Sequence, residues 1–338
     1  IVYLLTISPF DRLITYSFLF MMIGVLIRII YGYYCKKHFE ECTYNFVYDK
    51  GILKSMTSLA GWNFLGNGAF LLNTQGVNIL MNMYFGVAIN AARGVASSVD
   101  AALKQFVNNF TTAVNPQITK SYAKRELDNM HKLVCVSSKF SAFLMLFFAV
   151  PIILETDTIL HIWLKNPPEY ASVFLKWIII SSFMDTVLAN SLVTSMFATG
   201  NIKRYQIIVT SVGCLVFPLS WIAFEIGLEP QFGYIIYFII YTILLFVRLH
   251  LLRDMVKLPP MMYIRDVLYR LLPTMVISFA FPSVLMLTME EGIVRFITVS
   301  ITSVVFTSLS IYYIGFVDKE RKYIIHKIQI LTSKFIKQ

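Results

Sequence analysis

Arg93, Asp100 and Lys104 stand within one largely apolar stretch, residues 88–118. If that stretch crosses a bilayer, each charge costs about 2.5–3.5 kcal/mol on insertion scales, so such groups face a cavity or a partner. At helical spacing, positions 93, 97, 100, 104, 108, 111 and 115 share one face and read Arg, Ser, Asp, Lys, Asn, Thr, Asn. A polar stripe this long does not belong against lipid. Asp100 and Lys104 are i,i+4 neighbours and can pair. Two readings follow: the stripe lines a hydrated cavity, or Asp100–Lys104 is a structural pair with Arg93 snorkelling outward.

The preceding apolar stretch repeats the pattern with amides. Asn63, Asn67, Thr74, Asn78 and Asn82 recur at three- to four-residue multiples, beside Asn73 and Gln75. Such amides are either interhelical glue or a cavity wall, and only Tyr84-Phe85-Gly86-Val87 separates the two stretches, which predicts a tight antiparallel hairpin. Farther on, Asp185 lies deep in an apolar run one turn after Ser181, a second candidate for an ion site. Lys176 is read as snorkelling, and Tyr234, Tyr237 and Tyr241 fit either an aromatic belt or a cavity lining.

These residues need elements to hold them. Of 338 residues 57% are hydrophobic and only 14% charged, and the mean hydropathy is +0.67. A soluble domain carries about a quarter charged residues. Segments 12–34, 56–82, 88–118, 129–153, 170–197, 204–224, 231–250, 267–288 and 293–316 each approach or exceed the roughly 20 residues needed to span a bilayer. None alternates with period two at barrel-strand length. The expected fold is an all-α polytopic membrane bundle of nine transmembrane helices, with Pro218, Pro273 and Pro282 kinking their spans.

Most of the 29 lysines and arginines fall on one side of those spans. They are Arg28, Lys36, Lys37, Lys50 and Lys54, then Lys120, Lys124, Arg125, Lys132 and Lys139, then Lys203 and Arg204. Arg248, Arg253, Lys257, Arg265, Arg270 and the tail complete the set. The opposite loops hold Asp11, Glu155, Asp157, Glu169, Glu225, Glu229, Glu290 and Glu291. Such a bias marks the cytoplasmic side, so the C-terminus is expected there. The net charge of +10 then needs no nucleic-acid partner. Residues 321–338 place Ile324, Ile328, Leu331 and Phe335 at helical spacing among lysines, the pattern of an interfacial amphipathic helix.

Soluble-type chemistry has no foothold. Cys35, Cys42, Cys135 and Cys214 show no metal or CxxC spacing and are expected as free thiols; the five histidines are scattered. HExxH, Walker and GxSxG motifs are missing, so no catalytic residue, metal or cofactor is expected. The chain begins at Ile1 on an apolar scrap too short to span, which reads as the outer end of a helix that starts earlier, hence an N-terminally truncated fragment.

At the hairpin the text becomes recognisable. Asn73-Thr74-Gln75-Gly76-Val77-Asn78-Ile79-Leu80, Phe85-Gly86-Val87-Ala88 and Asn90-Ala91-Ala92-Arg93-Gly94-Val95-Ala96 resemble the polysaccharide transporter family. These are the Wzx-like O-antigen and capsule flippases of the multidrug/oligosaccharidyl-lipid/polysaccharide (MOP) superfamily, with a MATE-like fold. The likeness continues through Phe106-Val107-Asn108-Asn109-Phe110-Thr111-Thr112-Ala113-Val114-Asn115-Pro116-Gln117-Ile118, with further echoes at Trp163-Leu164, Pro167-Pro168-Glu169-Tyr170-Ala171 and Ala198-Thr199-Gly200-Asn201-Ile202-Lys203.

The resemblance implies two facing six-helix lobes with an added C-terminal pair. Residues 1–55 would end the N-lobe, 56–250 form the C-lobe, 251–316 the added pair and 317–338 a basic cytoplasmic tail. It implies translocation of an undecaprenyl-pyrophosphate-linked oligosaccharide across the bacterial inner membrane by alternating access. Arg93 and Lys104, with Asn67, Asn78 and Asn108, would serve the headgroup, and Asp100 and Asp185 ion coupling. Partners would be the lipid-linked oligosaccharide, membrane lipids, and a glycan polymerase or glycosyltransferases. No enzymatic activity is implied.

The rivals are a MATE-type cation-coupled drug or metabolite antiporter, a membrane enzyme of glycan assembly, and a scaffold. The antiporter expects an acidic cavity. The enzyme expects a large outer loop, whereas the longest here is about 154–169, and a scaffold has no use for two aligned polar stripes.

Overall fold

In the computed structural model, which describes residues 11–39, 42, 48–318 and 320–322, all nine segments are helical and the described residues contain no strand. The helices are α1 (Arg12–His38), α2 (Lys50–Phe85), α3 (Ala88–Ala123), α4 (Leu127–Leu154), α5 (Thr156–Leu164), α6 (Ala171–Ala198), α7 (Lys203–Glu225), α8 (Phe232–Val256), α9 (Pro260–Thr288) and α10 (Ile293–Gly315). Seven of them, all but α2, α3 and the nine-residue α5, are long and apolar enough to cross a membrane. The chain is therefore an all-α polytopic membrane protein. At 36 residues each, α2 and α3 fall short in apolarity and not in length, because the amides and charges singled out above dilute them. Most of the basic tail lies outside the described residues, as does the scrap before Asp11.

Two compact units divide the chain, Ile1–Met56 and Thr57–Gln338. In the first, Asp11 starts α1 by accepting from the amides of Leu13 at 2.8 Å and Ile14 at 3.3 Å. Lys36, Lys37 and His38 in the last turn complement the helix dipole. None of the α1 span is buried, and apolar residues surround the helix on all sides, as suits a lipid-facing span.

In the second unit α4 is the centre. Two thirds of its span (67%) lies inside the bundle, against 22% for α9, and it packs on α3, α6, α9 and α10. Without a hydrophobic drive between helices in lipid, close packing relies on small and hydroxyl residues. The α9–α10 pair follows this rule, with Ser278 and Ser310 sharing a 2.8 Å hydrogen bond amid buried Thr274, Ser303 and Thr307. Two buried ion pairs tie distant segments together. Arg295 of α10 reaches Glu155 between α4 and α5 at 3.0 and 3.3 Å. Lys139 of α4 takes both oxygens of Glu320 at 2.7 and 2.8 Å.

Three sequence expectations are corrected in detail. The loop 154–169 contains α5, which stops at Lys165 before Pro167-Pro168, whose rings disfavour helix in the residues ahead of them. Lys176 is not simply snorkelling, since its ammonium lies 3.5 Å from Asp157 of α5. Lys139 and Arg248, counted with the loop charges, are buried in helices at 2% and 7% exposure. The proline expectations divide. α7 breaks at Cys214–Leu215, four and three residues before Pro218, where the ring clashes with the carbonyl of Cys214 and the missing N–H leaves it unbonded. α9 passes from a π-helical turn at Ile264–Leu268 into regular helix four residues before Pro273, and it runs through Pro282 without a break.

Candidate functional site

Gly86, at φ +82°, lets the chain turn from α2 into α3 with only Val87 beyond it. The expected tight hairpin does not form, because the helices splay from that turn. Elsewhere α2 reaches α7 through side chains. The Asn73 amide donates to the Gly213 carbonyl of α7 at 2.8 Å, and Gly76 sits so close to Phe217 that a β-carbon there would lie 2.6 Å from the ring. The wedge between α2 and α3 is bridged by Arg93, whose Nη2 donates to the Thr74 carbonyl at 2.8 Å.

On α3 the polar stripe is real but graded. Asp100 and Thr111 are buried; Arg93, Ser97, Lys104 and Asn115 are half-buried; Asn108 is exposed. At about 100° per residue, Asn108 stands about 80° round the helix from Asp100, which puts it on the open flank. It lines none of the cavities described here. Lower on the stripe, Asn190 of α6 meets Asn115 at 3.3 Å and Thr111 at 3.4 Å.

The charges converge from two helices. Lys104 Nζ lies 2.9 Å from Asp100 and 3.7 Å from Asp185 of α6. Asp185 stands in a π-helical turn, Phe183–Val187, and the extra residue in that turn re-aims side chains relative to a regular helix. The remaining oxygens are also satisfied. Ser182 donates to Asp100 at 2.6 Å, Thr186 to Asp185 at 2.8 Å, and the Tyr237 hydroxyl of α8 to Asp185 at 2.9 Å. Tyr234, Tyr237 and Tyr241 thus line cavities and form no belt; Tyr234 and Tyr241 are buried, and the rings of Tyr237 and Tyr241 stack at 4.1 Å.

A cavity of about 120 Å³ opens at this cluster, lined by Thr74, Arg93, Lys104, Ser182, Asp185 and Tyr237 among others. At roughly 30 Å³ per water it holds about four waters, or a partly hydrated cation. On its other side Arg93 also lines a wider, open depression of about 270 Å³ with Gln75, Asn78, Asn90, Gly94 and Ser97. Among the described residues, Nη1 of this Arg93 and the side-chain oxygen of Asn90 are buried without a partner. Asn67 faces neither space; it lines a separate cavity of about 180 Å³.

Five of the seven expected residues therefore gather in two adjoining spaces: Asp100, Lys104 and Asp185 in a charge cluster, Arg93 and Asn78 at the depression. Ser182 was missed because a serine in an apolar run is unremarkable until its carboxylate partner is known. Among the described residues no group of three or more His, Cys, Asp or Glu could hold a metal. Compared with family models, curated proteins and solved structures, the chain matches none.

Proposed function

We propose that this chain belongs to an inner-membrane flippase that moves an undecaprenyl-pyrophosphate-linked oligosaccharide outward by alternating access. The observation that carries the reading is Arg93, which has a buried, unpaired Nη1 and lines a polar depression within a membrane bundle. A guanidinium in a low-dielectric site with a free donor suits a phosphate oxygen, and the amides of Gln75 and Asn78 add donors around it. Lys104, already held by two carboxylates, is assigned to the coupling cluster and not to the headgroup. Asp100 and Asp185 would take the driving cation when Lys104 swings away, which ties the ion to the wall that also carries Arg93.

The antiporter keeps one observation in its favour: the cluster holds two carboxylates against one ammonium. Surface glycan, normalised to membrane protein level, separates the two. Arg93→Gln in the intact protein should abolish surface glycan at normal protein level. Unchanged glycan would sink the headgroup assignment, and drug efflux lost with Asp185→Asn while glycan persists would establish the antiporter.

A further inference from the structure

Arg248 of α8 is 93% buried by its 7% exposure, yet among the described residues no carboxylate lies within ion-pair reach, and its Nε and Nη1 have no hydrogen-bond partner there. Beside it stand the Tyr241 ring, 5.8 Å from the guanidinium carbon, and the Tyr205 hydroxyl. A buried, unpaired guanidinium is costly unless water or an anion satisfies it. Arg248 lines the 180 Å³ cavity between α2, α6, α7 and α8, whose walls include Asn63, Asn67, Gln206 and Thr210 and no Asp or Glu. Tyr205, fully buried, lines it too, with its hydroxyl beside Arg248. The cavity has room for about six waters. One turn from Gln206, at the start of α7, Lys203 sits over Trp62 at 5.4 Å, and the exposed Arg204 lies 3.6 Å from Asp254.

We infer that this cavity is a binding site for a phosphate-type oxyanion, with Arg248 as its charged anchor. The planar guanidinium, with Nε and Nη1 unpaired on its two edges, offers N–H donors to the oxygens of a phosphate. The amides and hydroxyls of the other two walls supply donors from different directions, as a tetrahedral anion requires and a halide does not. The anion comes either from solution or from a phospholipid headgroup; the recognising chemistry is the same. The site is separate from the Arg93 depression and does not depend on the transport reading.

The test is the thermal midpoint of the intact protein in nanodiscs. One arm uses zwitterionic lipid with sodium phosphate, against sodium chloride of equal ionic strength. The other uses discs containing phosphatidic acid without added phosphate. The midpoint should rise with phosphate, and the apparent Kd should weaken by about 10-fold or more in Arg248→Gln. Arg253→Gln, on the exposed end of the same helix, should leave the Kd unchanged. A rise with phosphatidic acid that inorganic phosphate competes away identifies a headgroup as the source; a rise with phosphate alone identifies the free anion. If Arg248→Gln does not fold, Arg248→Lys and Thr210→Val keep the charge but remove the planar guanidinium or a donor, and each should weaken binding several-fold. No rise in either arm, or a rise with the same Kd in Arg248→Gln, or in both substitute variants where that one does not fold, overturns the site.

Discussion

Lys104 is gripped by carboxylates from two helices, so removing it leaves Asp100 and Asp185 buried and short of a counter-charge. Breaking such a pair by deleting one partner costs about 3–5 kcal/mol. Lys104→Gln should therefore lower the thermal midpoint strongly, while Lys104→Gln with Asp100→Asn should recover most of the loss, since Tyr237 and Thr186 still donate to Asp185. Surface glycan then separates packing from function: if the double variant restores both stability and glycan, the cluster is structural and plays no part in coupling. Arg93, Asp100 and Lys104 were legible because ionisable groups inside an apolar run are rare, and four-residue spacing already implies a pair. Asp185 was legible as a deep carboxylate but not as the partner of Lys104. Where Asp185 points depends on the π-helical turn around it, and periodicity counted at 3.6 residues per turn does not see the extra residue. Arg248 was hidden for a different reason: a charge near the end of an apolar segment looks like a loop charge until neighbouring helices close over it.

At the scale of elements, two joints hold the second unit, and each makes an asymmetric prediction. Glu155 is 1% exposed and depends on Arg295 for charge, whereas Arg295 also has Glu291 at 3.6 Å. Arg295→Met strands a buried carboxylate and should cost about 3–5 kcal/mol. Glu155→Gln should cost clearly less, because Arg295 keeps a counter-charge. Equal midpoint losses would mean the joint is not an ion pair in solution. The second joint is the close approach of α2 to α7. A β-carbon at Gly76 would lie 2.6 Å from the Phe217 ring, so Gly76→Ala forces the helices apart and should cost about 1–3 kcal/mol. Gly68→Ala, with open space around its position, should be near neutral by the same measurement. A short linker did not predict a tight hairpin because linker length limits how far two helix ends can separate but leaves the angle between the helices open.

For the whole molecule, hydropathy made the seven apolar spans plain, while α2 and α3 exceed them in length and fall short in apolarity. The side of the membrane each end faces follows from charge. Removing the buried Lys139 and Arg248 from the count of loop charges leaves the bias intact, because Lys120, Lys124, Arg125, Lys203, Arg204, Arg253 and Lys257 still share one end. The opposite end keeps Glu225 and Glu229, with Tyr84 donating a hydrogen bond to Glu225. Single cysteines at Lys124, Lys257 and Glu229, in a background with Cys35, Cys42, Cys135 and Cys214 replaced, give the test. In intact cells an impermeant maleimide should label position 229 and leave 124 and 257 unlabelled until the membrane is opened. Labelling at 124 and 257 alone would invert the bundle and place the Arg248 cavity, which lies toward that basic end, on the outer side. A cytosolic phosphate pool could then no longer supply it, and the lipid headgroup would be left as its source.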